Sequence, residues 1–141
     1  MKVLIMNGPN LNMLGKRDSS VYGDQSYDDL CNVLTNFCET AGIDCELFHS
    51  NHEGDLVDRI QRLDFDAVVI NPGALTHYSY SLRDALEIFS GPKIEVHISN
   101  ISAREAFRNK SVISPVCTGT IAGLGIKGYI LAIEYLVLKS R

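Results

Sequence analysis

Residues Ile94–Arg108 read IEVHISNISAREAFR, and the pattern of this stretch changes halfway along. In its first half apolar and polar residues alternate, which places Glu95 and His97 on the same side of a predicted strand. In its second half Ser102 is followed three residues later by Glu105, the spacing of a capping box at the start of a helix. The stretch therefore predicts a strand, a polar turn and then a helix.

This predicted junction also suggests a binding site. Backbone N–H groups at a helix N-terminus are free to bind an anion, and Arg104 and Arg108, four residues apart, would share one face of the helix. His97 would stand at the end of the strand. The junction predicts a site for a small acidic substrate, and a surface turn with solvated arginines is the alternative that the same residues allow.

Strand patterns recur along the rest of the chain. The five predicted strands cover Lys2–Met6, Ile43–Leu47, Ala67–Ile70, Ile94–Ile98 and Val112–Val116. The third is a continuous apolar run, which is typical of a central parallel strand covered on both faces. The fifth contains Pro115, which lacks a backbone N–H and therefore suits an edge strand.

Helical spacing of apolar residues separates these strands. One helix is predicted to begin after a capping box of Ser26 and Asp29 and to end at Gly42. Further helices are predicted over Leu56–Leu63, over Leu82–Phe89 and in the stretch that ends at Leu138. The helix over Leu56–Leu63 is predicted to hold Arg59 and Arg62 on its outer side.

The alternation of strands and helices predicts a flavodoxin-like, doubly wound α/β fold. Its five-stranded parallel sheet would have the order 2-1-3-4-5, with helices on both faces, and residues 1–141 would form a single domain. Ligands of such folds bind at the carboxyl ends of the strands. We expect polar residues of the turns to converge there: Asn10, Asn71, His77 and His97. A loop of about residues 11–25 has no regular period and is predicted to act as a lid.

Composition and charge exclude several classes of function. The formal net charge of −4 and the absence of a run of basic residues argue against nucleic acid or an anionic membrane as the main partner. No apolar run approaches the length of a membrane span, so a cytoplasmic protein is expected. The four cysteines form no C-x-x-C pair and are predicted to be free thiols, and His49 and His52 alone do not make a metal site.

A glycine motif near the C-terminus invites a different interpretation. Residues Gly123–Gly128 match G-x-G-x-x-G, but a dinucleotide-binding fingerprint also needs a following strand with an acidic residue about 20 positions on. Only 13 residues follow Gly128. The turn after the first strand contains Pro9, which removes a donor that a phosphate loop would use. A non-catalytic nucleotide- or flavin-binding module is the alternative function, and these two observations count against it.

Several sequence blocks, in a constant order over nearly the whole chain, resemble type II 3-dehydroquinate dehydratases. The blocks are Asn7-Gly8-Pro9-Asn10-Leu11-Asn12, Arg17 with Tyr22-Gly23, Ser50-Asn51-His52-Glu53-Gly54, Asn71-Pro72-Gly73, Thr76-His77, Arg83-Asp84-Ala85-Leu86, Glu95-Val96-His97-Ile98-Ser99-Asn100 and Arg104-Glu105 with Phe107-Arg108. The resemblance implies anti elimination of water from 3-dehydroquinate through an enolate, giving 3-dehydroshikimate, in the shikimate pathway or in quinate breakdown. It implies no cofactor and no metal.

The resemblance also implies residue roles. Tyr22 would be the base, with Arg17 beside it, and His97 would be the acid, oriented by Glu95. Asn10 would steady the enolate. The substrate's hydroxyls and carboxylate would be held by Asn71, His77, Ile98, Ser99 and Arg108. Asp84 would approach from a neighbouring subunit, because the family assembles trimers into dodecamers.

Overall fold

Five parallel strands form the centre of the molecule. The computed structural model describes residues 1–141. The strands are β1 (Lys2–Asn7), β2 (Asp44–His49), β3 (Ala67–Asn71), β4 (Lys93–His97) and β5 (Gly119–Ala122). They lie side by side in the order β2-β1-β3-β4-β5, and every neighbouring pair is parallel. The predicted sheet order is confirmed.

Helices cover both faces of this sheet. They are α1 (Ser19–Tyr22), α2 (Tyr27–Ala41), α3 (Glu53–Gln61), α4 (Tyr80–Ile88) and α5 (Lys127–Lys139). The core beneath α2 and α5 contains Val3, Ile5 and Val69, and the core beneath α3 and α4 contains Leu4 and Met6. Successive residues of β1 therefore pack into cores on opposite faces of the sheet, as the two-residue period of a strand requires. None of the helices has the length and apolar character needed to cross a membrane.

The predicted boundaries of α2 are correct. The Ser26 side chain accepts a hydrogen bond from the Asp29 N–H at 3.0 Å, and the Asp29 carboxylate accepts one from the Ser26 N–H at 2.9 Å. Gly42 ends the helix in the left-handed conformation, at φ 70° and ψ 30°. Both ends of the helix are thus set by local signals that the sequence shows, a capping box at its start and a glycine at its end.

The helix predicted after β4 is not formed. Residues Ile101–Ala103 and Ala106–Asn109 make two short 3₁₀ turns, and Arg104 lies between them in extended backbone. The Asn100 side chain caps the first turn by accepting a bond from the Ser102 N–H at 3.2 Å. Neither turn buries a side chain. A short helix is stabilised mainly by packing of an apolar face, so the capping-box spacing alone was insufficient.

The fifth strand lies further along the chain than predicted. Residues Ser114–Val116 form a 3₁₀ turn, whereas β5 pairs with β4 from the register of Ile94 with Gly119 onward. The Ser111 hydroxyl accepts hydrogen bonds from the N–H groups of Ile113 and Ser114, at 3.1 and 2.9 Å. The apolar residues of the predicted strand therefore pack into the core from a tight turn and not from a strand, and Ile113 is fully buried.

Arg59 was predicted to face solvent, and this is wrong. Its side chain is only 3% exposed. Its Nε donates to Glu46 of β2 at 2.6 Å, and its Nη1 donates to Asp64 at 2.8 Å. The two carboxylates compensate the buried charge.

Two glycines bring the turns after β1 and β3 into contact. A Cβ built on Gly8 would lie 2.5 Å from the carbonyl oxygen of Pro72, and one built on Gly73 would lie 2.9 Å from that of Pro9. Gly73 also has a positive φ of 61°. The turns can approach this closely only because neither position carries a side chain.

We expect Gly73→Ala to lower the free energy of unfolding by about 1–3 kcal/mol, because it adds both a backbone clash and an unfavourable φ. Urea denaturation measures this loss. Gly54→Ala is the matched control, since Gly54 lies in α3 and a Cβ there meets nothing within 4 Å. The control should be neutral or stabilising, and an equally stable Gly73→Ala would contradict the close-contact argument.

Candidate active site

A cavity of about 160 Å³ lies where the carboxyl ends of β1, β3 and β4 meet. Nine of the eleven residues assigned by resemblance line it: Asn10, Arg17, Tyr22, Asn71, His77, His97, Ile98, Ser99 and Arg108. The turns named from the strand pattern therefore do converge. The cavity is small compared with the roughly 300–1,000 Å³ of typical ligand pockets, so it suits a compact metabolite rather than a dinucleotide.

Tyr22 lies against two guanidinium groups in this cavity. Arg17 Nη2 donates a hydrogen bond to the phenolic oxygen of Tyr22 at 2.6 Å, and Arg17 Cζ lies 3.8 Å from the centroid of the ring. Arg104 Cζ lies 5.0 Å from the same centroid. The phenolic oxygen thus has a charged donor, and a second cation lies over the face of the ring.

The position of Tyr22 depends on short-range contacts. Tyr22 is the last residue of α1, a single helical turn whose N-cap is Asp18. The Asp18 side chain accepts a bond from the Ser20 N–H at 3.0 Å, and the Tyr22 N–H donates to the Asp18 carbonyl at 3.0 Å. The predicted lid segment of about residues 11–25 thus carries regular structure that its sequence period did not indicate.

His97 and Glu95 form the second reactive group. Both residues belong to β4 and are buried, and His97 Nε2 bonds to Glu95 Oε2. Three hydroxyl groups also donate to this carboxylate: Thr76 at 2.7 Å, Ser111 at 3.0 Å and Ser114 at 2.7 Å. With Nε2 engaged by Glu95, the other ring nitrogen of His97 is left for a ligand in the cavity.

His97, with Ser114 and Thr76, keeps Glu95 ionised. Burial alone would raise the pKa of this carboxyl group, but the hydrogen bond and charge of His97 and the bonds from Ser114 and Thr76 outweigh it and hold the pKa below its ordinary value of 4.5. An ionised carboxylate with several hydrogen-bond donors holds the imidazole of His97 in one orientation.

A lowered pKa in the folded state has a defined effect on stability. Glu95 contributes stability that is fully present above its unfolded pKa of about 4.5 and is lost as the pH falls through its lower folded pKa. We therefore expect wild type to be more stable than Glu95→Gln at pH 7, and the difference to shrink below about pH 4.5. Urea denaturation between pH 7 and pH 3 measures it, with Glu39→Gln on the exposed side of α2 as control. A difference that grows on acidification would contradict the assignment.

Further contacts hold the polar wall of the cavity. Asn10 adopts a left-handed backbone at φ 73°, and its N–H donates to the Asn51 side chain at 2.9 Å. His77 Nδ1 bonds to the carbonyl oxygen of Lys110 at 2.7 Å, which leaves Nε2 as its other ring nitrogen. The first contact ties the turn after β1 to the turn after β2, and the second ties the turn after β3 to the segment after β4.

The cavity carries an excess of positive charge. Arg17, Arg104 and Arg108 all line it, and no carboxylate is among its lining residues. Arg104 donates to the Ser99 hydroxyl at 3.2 Å, and Arg108 pairs with the exposed Glu105 at 3.1 Å. Three guanidinium groups around a small polar cavity favour an anionic ligand.

Two of the assigned residues lie outside this cavity. Glu95 sits behind His97 and reaches the cavity only through it. Asp84 lies on α4 with its side chain exposed, and it does not line the cavity of its own chain. No cluster of three or more histidine, cysteine, aspartate or glutamate side chains could hold a metal ion.

Sequence reasoning missed several supporting residues. The three hydroxyl donors to Glu95 and the buried hydroxyl of Tyr129, which bonds to Asn71, were assigned no role. Arg104 was expected to share a helical face with Arg108, and its place beside the Tyr22 ring was not anticipated. Serines that precede a predicted strand are the only signal that the sequence offers for the hydroxyl donors to Glu95.

The fold and the cavity together define a doubly wound α/β protein with a polar, cationic ligand site at the carboxyl ends of its strands. The model of the family described as dehydroquinase class II matches residues 1–137. A curated 3-dehydroquinate dehydratase of Thermotoga neapolitana is 62% identical over 136 residues, which cover 96% of this chain and 94% of the relative.

Solved structures agree with this match. The type II dehydroquinase from Butyrivibrio crossotus is 52% identical and has a TM-score of 0.95, with 96% of this chain and 97% of that chain covered. The type II dehydroquinase from Propionibacterium acnes is 47% identical and has a TM-score of 0.92, covering 96% and 94%. The chain belongs to the class II dehydroquinase family.

Proposed function

We propose that this enzyme, a type II 3-dehydroquinate dehydratase, removes water from 3-dehydroquinate by anti elimination through an enolate and releases 3-dehydroshikimate. The observation that carries the proposal is the pairing of two reactive groups in one cavity: Tyr22 beneath the Arg17 guanidinium, and His97 held by Glu95. The reaction needs a base for a carbon-bound proton and an acid for a departing hydroxyl, and these groups supply one of each.

In the first step Tyr22 acts as the base. Its phenolate oxygen takes the proton from the substrate carbon next to the ketone. The C–H electron pair forms a carbon–carbon double bond to the ketone carbon, and the carbonyl electrons move onto oxygen to give the enolate. Arg17 stabilises the phenolate that this step requires, since it donates directly to the phenolic oxygen at 2.6 Å. Asn10 lines the same cavity, and we assign it the stabilisation of the enolate oxygen.

In the second step His97 acts as the acid. The enolate collapses, the C–O bond to the leaving hydroxyl breaks, and the proton of the imidazolium completes a water molecule. Glu95 bonds to Nε2, so the proton is delivered from the other ring nitrogen. The carboxylate orients the imidazole for this transfer, and the three hydroxyls around it keep that carboxylate in place.

Binding of the substrate is assigned to the polar wall. The substrate carries one carboxylate and several hydroxyls. Arg108 and the backbone of Ile98 and Ser99 suit the carboxylate, and Asn71 and His77 suit hydroxyl oxygens. All five residues line the cavity.

The exposed position of Asp84 supports a role between subunits. Its carboxylate is on the outer face of α4, where it could enter the cavity of a neighbouring copy. We propose that the enzyme forms trimers that assemble into a dodecamer and that Asp84 is shared across the trimer interface. Size-exclusion chromatography with light scattering tests the assembly.

The remaining proposals concern the setting of the reaction. We propose residues 1–141 as one catalytic domain whose segment 11–25 closes as a lid over the substrate. A cytoplasmic location and a place in the shikimate pathway, or in quinate catabolism, stay predictions.

The deciding experiment follows the conjugated enone of the product by ultraviolet absorbance after 3-dehydroquinate is added. The proposal expects a steady rise in absorbance with purified protein and no added cofactor. Borohydride treatment together with substrate should leave activity intact, because no lysine imine forms. A protein that is inactive in this assay, but is stabilised against heat by a nucleotide or flavin, would overturn the proposal in favour of a binding module.

A further inference from the structure

One hydroxyl group lies buried directly behind the cavity. Tyr129 of α5 is fully buried, and its hydroxyl donates to Asn7 Oδ1 at 2.6 Å. The same hydroxyl accepts a hydrogen bond from Asn71 Nδ2 at 2.9 Å. Asn7 and Asn71 are the last residues of β1 and β3 and are register partners in the sheet. The Tyr129 hydroxyl therefore joins the ends of two neighbouring strands.

The direction of these hydrogen bonds fixes which way the Asn71 amide faces. A tyrosine hydroxyl has a single proton, and here Asn7 Oδ1 receives it. Only the NH₂ group of Asn71 can then donate to the phenolic oxygen. The carbonyl end of the Asn71 amide is also engaged, because its Oδ1 accepts the Gly73 N–H at 3.1 Å.

This arrangement determines what Asn71 can offer to a ligand. An asparagine amide has two N–H donors, of which one is used by Tyr129 and the other has no protein acceptor. Asn71 lines the cavity, so a donor is the group that it presents there. Burial raises the pKa of Tyr129 above its ordinary value, so the hydroxyl keeps the proton on which the chain of bonds depends.

We infer that Tyr129 is a positioning residue for the substrate site: its hydroxyl locks the Asn71 amide so that an N–H donor faces the cavity and selects an acceptor oxygen of the substrate. The inference rests on the proposed function for the substrate, and it concerns a residue on the far helix that touches no ligand itself. Without the hydroxyl, only the longer contact of Asn71 Oδ1 with the Gly73 N–H, at 3.1 Å, still distinguishes the two orientations of the Asn71 amide.

Tyr129→Phe tests this directly, because it removes both hydrogen bonds and keeps the ring in the core. We expect KM for 3-dehydroquinate to rise about tenfold, equivalent to about 1.4 kcal/mol, while kcat changes less than about threefold. Tyr135→Phe is the matched control, since Tyr135 lies on the same helix with 42% of its surface exposed. The control should leave both constants unchanged.

A double-mutant cycle separates positioning from general loosening of the fold. In an Asn71→Ala background, Tyr129→Phe should raise KM no further, because the amide that it orients is gone. An equal rise in KM with and without Asn71, or an unchanged KM in Tyr129→Phe, would overturn the inference. Should Tyr129→Phe fail to fold, Asn7→Ala replaces it, since it removes the acceptor that directs the hydroxyl proton, and KM should again rise.

A readout that is independent of activity keeps the inference distinct from the proposed function. In the ¹⁵N–¹H spectrum, one side-chain amide proton of Asn71 should exchange with water much more slowly than the other, and Tyr129→Phe should abolish the difference. Equal exchange in wild type would overturn the inference. If wild type shows this asymmetry but does not turn over 3-dehydroquinate, the proposed function fails and the orientation of Asn71 stands.

Discussion

Replacing Tyr22 with phenylalanine is expected to lower kcat about a thousandfold, within the range that a lost general base typically costs. The variant keeps the aromatic ring, so the contacts of the Arg17 and Arg104 guanidinium groups with its face remain. Only the oxygen that accepts the Arg17 bond is removed. Because Tyr22 is only half-buried, the thermal midpoint should change little. The enone assay and a thermal melt measure the two effects, and more than a tenth of wild-type turnover would contradict the role.

Arg17 provides the companion test. A phenol in water ionises near pH 10, so a tyrosine base near neutrality depends on its cation. Arg17→Met should therefore depress kcat strongly, because it removes the charged donor to the phenolic oxygen. Arg17→Lys keeps the charge but not the planar group that contacts both oxygen and ring, and an intermediate loss is expected. A kcat of Arg17→Met equal to that of wild type would show that the base does not depend on Arg17.

Replacing His97 with alanine is expected to lower kcat by a factor of about 10²–10⁴, the range for a lost general acid. This loss should differ in kind from that of Tyr22→Phe, because proton abstraction precedes departure of the hydroxyl. In heavy water, His97→Ala should still exchange the substrate's acidic carbon-bound proton for deuterium without forming product. Tyr22→Phe should lose exchange and elimination together. Mass spectrometry of recovered substrate distinguishes the two, and loss of exchange in both variants would contradict the division of roles.

Glu95→Gln refines this second prediction. The glutamine keeps the shape of the side chain and removes the charge that orients the imidazole. We expect a smaller loss of kcat than in His97→Ala, with exchange again retained. Thr76→Val, which removes one hydroxyl donor to the carboxylate, should lie between Glu95→Gln and wild type. Activity of Glu95→Gln equal to that of wild type would show that the carboxylate has only a structural role.

The sheet was predictable because its signals are local and strong. β3 is a continuous apolar run, and β1 and β2 end at polar residues, so these strands could be located from the sequence. The regular alternation of strands with helices then predicted a flavodoxin-like fold and its sheet order. The structure of the segment after β4 was not predictable from its sequence. A capping box is a short-range signal, whereas a helix there would also need an apolar face to bury. β5 was misplaced for a related reason: Val112 and Ile113 are as buried as strand residues, but they reach the core from a turn held by Ser111.

The site was predictable in part for the same reason. Polar residues at strand ends converge in any parallel sheet of this kind, which places Asn71 and His97 together without knowledge of the family. The approach of Arg17 and Tyr22 depends instead on the path of a long loop, which has no sequence period and was inferred only from the resemblance. The hydroxyls around Glu95 come from residues 16 to 19 positions distant from it, a separation that no local pattern encodes.

His97 and Tyr22 lie on elements of different rigidity. His97 belongs to a buried strand bonded on both sides, whereas Tyr22 closes a single helical turn sustained by its own neighbours. Compounds that touch only the histidine side should dock rapidly and weakly without disturbing the tyrosine segment. Compounds that span both sides must wait for that segment to arrange itself, so slow-onset, long-lived inhibition should mark the ligands that engage the phenol.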